Sequence, residues 1–279
     1  MKSDNAFVKI LKKQIESERF SLPIFNPVAL RIQQELIKKE PNLHTIEKLI
    51  GGDQSLSSNL LKIANSPLYR GLVPTTTVKS ALIRLGMSEV FRIVLTEVSS
   101  KSFSSQDRQI DGIMKKLWQH SMGCAFAAGM LSNNLDFGIM QHEAFSAGLL
   151  HDIGKLLILK VIAEKKRKSN IPTVSDTLIL GAMDLLHAEQ GYLVLRQIEM
   201  PEMLAVVARD HHLPDFSPDN YILVLARLAN LICHQMGIGL KHIPEIDLLA
   251  TPEALQIKLD ASQLKTTQDF LATTSGLFS

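Results

Sequence analysis

Six residues between positions 120 and 212 are of the types that bind divalent metals in proteins. They are His120, the adjacent pair His151 and Asp152, His187, and the adjacent pair His211 and His212. Neutral imidazole and carboxylate are common ligands of Zn, Fe and Mn ions. Intervals of about one helical hairpin separate these residues, so antiparallel packing of neighbouring helices would bring them into one bundle interior. The spacing predicts a divalent-metal site in which Asp152 is able to bridge two ions.

A simpler explanation applies to any one histidine, because most are surface residues or hydrogen-bonded core residues. We interpret four others in this way: His44, His142, His234 and His242. The segment GLLHDIGK, residues 148–155, favours convergence for the six, since its apolar run delivers His151 and Asp152 just before Gly154. We expect that glycine to end a helix. Whether a metal is bound stays open at this point.

The elements that must position these side chains are predicted to be helices. Aromatic residues make up only 5% of the sequence, and apolar residues recur at spacings of three and four among Lys, Glu and Gln. Alternating runs with hairpin turns, which would indicate strands, are absent from the sequence. Around the candidate ligands the predicted helices are 113–132, 142–163, 177–199, 201–212 and 222–236. The predicted fold class is an all-α multi-helix bundle.

Turn and capping residues divide the first half of the chain. The predicted helices there are 28–39, 45–51, 55–64, 77–85 and 88–98. Asp53 and Ser88 are expected to cap helices at their N-termini, and Gly86 to stop one in a left-handed conformation. The polar stretch 99–109 predicts a boundary, because serine-rich sequence supplies little apolar surface to bury. We therefore expect two packed helical subdomains, 1–105 and 106–240, and a C-terminal helical extension, 241–279.

Composition and charge argue against several classes of partner. Thirty basic and twenty-eight acidic residues give a net charge of +2, which indicates neither a nucleic-acid nor an anionic-membrane partner. Cys124 and Cys233 lie in apolar stretches and are interpreted as core residues rather than a disulfide. The longest apolar-rich stretch, 221–233, is interrupted by Arg227 and Asn230 and is shorter than the roughly 20 residues of a membrane span. With no signal-peptide pattern, we expect a cytoplasmic protein.

The segment GLLHDIGK resembles the signature of the HD superfamily, whose members bind metals through a histidine, a His-Asp doublet and a later aspartate. His120 matches the first histidine. In the related HD-GYP phosphodiesterases of cyclic di-GMP further histidines follow the doublet, and His187, His211 and His212 come in the order expected for them. The resemblance implies that these residues, with His151 and Asp152, form the ligand set.

The first half narrows the resemblance to one family. Leu22-Pro23, the stretch DQSLSSNLLKIANSPLY (53–69) and SALIRLG (80–86) resemble the HDOD family, the HD-related output domain of bacterial signalling proteins. The likeness covers roughly residues 20–235. It implies an HD-like helical bundle that acts as a signalling module in bacteria.

Two departures from the HD pattern bear on activity. Asn230, in ARLANLI, stands where the later aspartate is expected, and its neutral carbonyl oxygen removes one negative charge from the site. Weaker metal binding or a changed number of ions would follow. His211 and His212 are followed by LPDFSPDN, without the glycine-tyrosine-proline signature, so a cyclic di-GMP phosphodiesterase of the HD-GYP type is not predicted.

The leading hypothesis is a regulatory module without turnover that has a signalling protein as partner and keeps the bundle as a scaffold or as a Fe, Mn or Zn site. No residue is assigned a catalytic role. The alternative is a metal-dependent phosphohydrolase acting on a nucleotide or phosphate ester, in which Lys155 would bind phosphate as a point charge. The simpler explanation of Lys155 is a solvent-exposed lysine at a helix end. Nucleic-acid binding is a third hypothesis, disfavoured by the near-neutral charge.

Overall fold

The fold is all-α, as the sequence predicts. A computed structural model of the chain describes residues 2–18, 31, 32, 34, 35, 38, 40–133, 135, 141–169 and 174–274. The chain is 74% helical, and no strand occurs in the part that the model describes. Two compact units make up the chain: one comprises residues 25–102, and the other comprises residues 1–24 with 103–279. The subdomain boundaries predicted at 105 and 240 stay a prediction.

Four helices of 8–16 residues are described in the smaller unit, and three of them begin at a side-chain cap. These are α2 (Leu43–Gly51), α3 (Gln54–Ala64), α4 (Val78–Leu85) and α5 (Met87–Ser102). The Asp53 side chain accepts from the N–H of Leu56 at 3.0 Å and so begins α3 as predicted. Gly86 ends α4 with a φ of 74°, a conformation that glycine adopts without steric cost. The predicted helix at 28–39 lies largely outside the described residues.

Two expectations for this unit are wrong. Helix α5 begins at Met87, so Ser88 lies in its first turn and is not its cap. The same helix runs on to Ser102 rather than ending at residue 98. Ser99 and Ser102 are both buried there, because a serine is small enough to fit a helix face that is covered by neighbours.

The larger unit is a bundle around one long central helix. Its helices are α1 (Lys2–Glu18), α6 (Arg108–Ser132), α7 (Gln141–Leu150), α8 (Ile153–Ser169), α9 (Asp176–Gln197), α10 (Glu202–Asp210), α11 (Tyr221–Gln235), α12 (Pro252–Gln256) and α13 (Ala261–Thr274), with a 3-10 turn at Leu248–Ala250. Helix α6 packs against α7 and α11, while α9 packs against α8 and α10. Helix α1, which has no counterpart among the predicted helices, packs on α8 and α9.

The core between α6, α7 and α11 is apolar and closely packed. Cys124 and Cys233 are free and buried within it, as their sequence context predicts. Helix α13 covers the outer side of this core through Leu271. None of the described helices is both long and apolar enough to cross a membrane.

The predicted helix 142–163 is in fact two helices, because the chain turns at His151 and Asp152 between α7 and α8. Gly154 therefore does not end a helix; it lies at the start of α8. Its lack of a side chain serves close packing instead: a Cβ there would overlap the carbonyl oxygen of His187 on α9. Gly148 allows the matching approach of α7 to α6, since its Cβ would lie 2.6 Å from the carbonyl carbon of Cys124.

Candidate metal centre

The carboxylate of Asp152 lies at the middle of a buried cluster of imidazoles. Its Oδ1 is 3.4 Å from Nε2 of His187 and 3.4 Å from Nε2 of His211. Its Oδ2 is 3.4 Å from Nε2 of His151 and 3.6 Å from Nε2 of His120. Asp152 is 1% exposed and the four histidines are buried. The turn after α7 places the carboxylate, and α6, α9 and the end of α10 bring the rings to it.

Each of these four rings is oriented by a backbone carbonyl. The bonds join Nδ1 of His120 to Ile238 O (3.0 Å), of His151 to Gly148 O (2.7 Å), of His187 to Met183 O (2.7 Å) and of His211 to Ala208 O (3.0 Å). A carbonyl oxygen only accepts, so Nδ1 of each neutral ring carries the proton and donates it. The lone pair of each ring is therefore on Nε2, which is the nitrogen that faces Asp152.

The arrangement leaves buried acceptors facing one another without a donor. Nε2 of His187 and Nε2 of His211 are 3.3 Å apart, and both present lone pairs. Asp152 Oδ1 and His151 Nε2 have no hydrogen-bond partner although both are buried. Unpaired buried polar atoms are costly, and a cation among them would remove the cost.

The spacing of the donor atoms fits a metal ion. Ligand atoms that lie about 2.0–2.1 Å from a tetrahedral ion are about 3.3–3.4 Å from one another. The triangle formed by Asp152 Oδ1, His187 Nε2 and His211 Nε2 has edges of 3.4, 3.4 and 3.3 Å. His212 is exposed, and it offers a fourth donor atom within 4.8 Å of this set. The donor types and their separations suit a divalent cation.

The turn that carries His211 and His212 is held from α11. Arg227 donates from Nη1 to His211 O at 2.9 Å and to Leu213 O at 2.7 Å. Its Nε donates to Glu253 at 2.7 Å, which fixes the guanidinium between α11 and α12. The side chain thus satisfies carbonyls at the end of α10 and positions the two histidines.

The cluster has the protonation state that metal binding requires. Burial lowers the pKa of His120 to about 3 and that of His211 to about 4, and it also lowers the pKa of His187. Burial alone would raise the pKa of Asp152, but the Lys155 ammonium and the nearby imidazoles hold it well below its usual range. At neutral pH these three neutral rings therefore face an ionised carboxylate, and these are the ligand forms of both groups.

Lys155 is buried in the site rather than exposed at a helix end. Its Nζ donates to Asp152 Oδ2 at 2.6 Å, and the residue is only 6% exposed. The solvent-exposed interpretation of this lysine is therefore wrong. Its predicted role as a phosphate contact stays a prediction.

The structure brings all six predicted residues into one cluster and adds one that sequence analysis dismissed. The ring of His234 is buried and stacks on that of His120, with centroids 5.2 Å apart and planes 14° from parallel. His234 follows Asn230 by four residues, so both lie on one face of α11. This four-residue spacing from Asn230, the position of the expected aspartate, is the feature of the sequence that could have pointed to His234.

A small pocket of about 100 Å³ gives access to the cluster. Asp152, His120 and Lys155 line its inner part, together with His234. Leu180 and Leu240 are among the apolar residues of its wall, and Lys241 pairs with Asp184 at 3.0 Å where both are about half exposed. A further group of potential donors joins His120 to Cys124 and Cys233, the two cysteines that the sequence places in the core.

Fold and site together define a class of protein: an all-α bundle with buried histidines and an aspartate, drawn from successive helices, in a cluster of metal-ligand type. The chain belongs to the HDOD domain family, whose model matches residues 22–214. Among curated proteins, an uncharacterized protein from Treponema pallidum (strain Nichols) is 25% identical over 209 residues. That match covers 72% of this chain but only 39% of the relative, so the chain spans well under half of that protein.

Solved structures share the fold along nearly the whole chain. An HDOD domain protein of unknown function from Geobacter sulfurreducens has a TM-score of 0.70 at 20% identity, covering 96% of this chain and 95% of its own. A candidate metal-dependent phosphohydrolase from Shewanella amazonensis SB2B has a TM-score of 0.66 at 21% identity, and the match covers 96% of this chain and 100% of that chain. A candidate signal transduction protein from Marinobacter aquaeolei VT8 has a TM-score of 0.69 at 19% identity, and the match covers 97% of this chain and 64% of that chain. Identities this low show the fold alone.

Proposed function

We propose that this chain is a regulatory module of bacterial signalling whose larger unit holds a divalent metal ion of the Fe, Mn or Zn type. One observation carries the metal centre: buried acceptors on Asp152, His187 and His211 face one another at 3.3–3.4 Å with no donor between them. A divalent cation in such a centre neutralises negative charge on a phosphate ligand and lowers the pKa of a water.

The ligands we assign to that ion are Asp152 through Oδ1, with His187, His211 and His212 through their ring nitrogens. His187 and His211 are already oriented by backbone carbonyls, so little conformational entropy is lost when a cation binds. His212 is exposed and lies beside His211, with ring centroids 4.0 Å apart. It gives the centre a side that faces solvent.

A scarcity of negative charge favours regulation over turnover. Within the donor groups of the described residues, Asp152 supplies the only carboxylate. Asn230, buried on α11, offers a neutral oxygen where the HD pattern has an aspartate. Lys155 already pairs with one oxygen of Asp152. Retention of a fold does not imply retention of its chemistry. We infer that the module acts by binding a signalling protein, for which the name of the Marinobacter structure is a precedent by fold alone.

Metal analysis tests the centre directly. Protein purified without added metal is assayed by inductively coupled plasma mass spectrometry as wild type and as Asp152→Asn, which keeps the shape of the side chain and removes its charge. The matched control is Asp184→Asn, an exposed aspartate paired with Lys241 at the pocket. We expect bound metal in wild type and the control and at least a tenfold loss in Asp152→Asn. Equal metal in all three would refute the assignment.

A second candidate function, a metal-dependent phosphohydrolase, is favoured by the pocket that opens beside Asp152 and Lys155. In that case Lys155 would orient a phosphate ester or nucleotide from the inner part of the pocket. The test is hydrolysis of bis(p-nitrophenyl) phosphate in the presence of Mn²⁺. Turnover that persists in Asp184→Asn and vanishes in Asp152→Asn would establish an enzyme. No turnover by a metal-loaded wild type supports the regulatory module.

A further inference from the structure

We propose that the ammonium group of Lys155 takes the place of a second metal ion, so that the centre binds one divalent cation rather than two. This inference rests on the proposed metal centre and assigns its nuclearity. It concerns the two oxygens of Asp152, which face different surroundings.

The two sides of the carboxylate are chemically unequal. Oδ1 faces His187 and His211 at 3.4 Å each and has no hydrogen-bond donor. Oδ2 accepts from Lys155 Nζ at 2.6 Å, within 3.4 Å of His151 Nε2 and 3.6 Å of His120 Nε2. One side therefore lacks a cation, and the other already has one.

The side occupied by Lys155 is one that otherwise looks like a metal site. His120, His151 and Asp152 offer donor atoms within 4.8 Å of one another. A metal ion there would bind Asp152 Oδ2 at about 2.0–2.2 Å. The ammonium is in contact with that same oxygen, so the two cations would share one anionic ligand and repel each other.

The position of Lys155 is fixed by the start of α8. Its backbone N–H donates to Asp152 O at 2.9 Å, which closes the first turn and places the two side chains three residues apart on one face. The lysine side chain is 8% exposed, so it has little access to water where it lies. Displacing it would break the ion pair with Asp152 while both groups are buried, which is costly.

Charge on the same side gives no compensation for a second ion. The described donor groups contain no carboxylate besides Asp152. Two divalent ions and the Lys155 ammonium would share one negative charge. One divalent ion on the Oδ1 side, with the ammonium on the Oδ2 side, needs the least rearrangement of the observed contacts.

The experiment is a metal count on matched lysine variants. Wild type, Lys155→Met and Lys166→Met are loaded with Mn²⁺ during purification, dialysed to constant composition, and compared by metal content and electron paramagnetic resonance. Lys166 is a fair control, since it lies on the same helix, is buried, and pairs with Asp107 at 2.5 Å. Methionine retains the unbranched shape of lysine and removes its charge.

We expect one equivalent in wild type and in Lys166→Met, with the spectrum of an isolated Mn²⁺ ion. Lys155→Met is expected to bind two equivalents and to show the spectrum of an exchange-coupled pair. Two equivalents in wild type, or one in Lys155→Met, would overturn the proposal. Should Lys155→Met fail to fold, the wild-type count and spectrum decide alone. No metal in any of the three would instead overturn the metal centre itself.

Discussion

Replacement of Gly154 by alanine should break the contact on which the site geometry depends. Gly154 lies at the start of α8 and faces α9. A Cβ there would overlap the carbonyl oxygen of His187 and lie 2.7 Å from the backbone nitrogen of Gly191. Both obstacles are backbone atoms, so no side chain can rotate away. The two helices themselves would have to move.

The cost follows from these distances. Ordinary contact begins at 3.4 Å, so the helices must separate by about 0.7 Å at Gly191 and further at His187. Forced overpacking of this kind costs about 1–3 kcal/mol, against a gain of about 1 kcal/mol from alanine in a helix. The net loss is therefore about 0–2 kcal/mol, and because both obstacles are backbone atoms we expect Gly154→Ala to lower the free energy of unfolding by an amount near the upper end, about 2 kcal/mol. Because His187 moves with its carbonyl, metal affinity should also fall.

The assay can be confined to the larger unit. Trp118 is the sole tryptophan of the chain and lies on α6, with its ring 5.2 Å from that of Phe103. Its fluorescence during urea denaturation therefore reports this unit. The control is Gly181→Ala on α9, where a Cβ meets nothing within 4 Å; it should stabilise by about 0.5–1 kcal/mol. If Gly154→Ala unfolds at the same urea concentration as Gly181→Ala, the close approach of α8 and α9 is refuted.

Three further outcomes follow from the structure. Burial lowers the pKa of His120 to about 3 and that of His211 to about 4, so the unfolded chain binds more protons. Metal-free stability should fall as pH drops from 6.5 toward 4, by up to about 1.4 kcal/mol per pH unit for each ring; a flat urea midpoint over this range would contradict it. Asp53→Ala should cost about 1 kcal/mol as a lost helix cap, seen as faster hydrogen exchange in residues 43–102 with metal content unchanged. Gly86→Ala should cost about 1–2 kcal/mol through its φ of 74° alone, because its Cβ meets nothing within 4 Å; circular dichroism melting would detect it.

Sequence reasoning succeeded where the controlling physics is local. The cap at Asp53 and the stop at Gly86 depend on backbone groups a few residues away, and both are present. Convergence of the six candidate residues followed from their placement on successive helices. Their roles as ligands remain a prediction.

The features that sequence reasoning missed are those that depend on contacts between segments distant in sequence. Gly154 permits close packing against α9, and glycine at a helix start looks the same in sequence as glycine at a helix end. The stacking of His234 on His120 was not predicted, because the two residues are more than a hundred positions apart in sequence. Burial of Lys155 likewise depends on residues far away in sequence, and the pocket that it lines also contains Leu180 and Leu240. No window of sequence contains that information.

The carbonyl bonds of three rings have a consequence for how such a site can change. His151, His187 and His211 each bond to a carbonyl three or four residues earlier in the sequence. Each of these histidines is therefore oriented by a hydrogen bond within its own segment, which does not depend on contacts with the other segments. Substitution of one of the three histidines leaves the hydrogen bonds that orient the other two in place. A site built this way can lose one of these histidines while the other two keep their orientation.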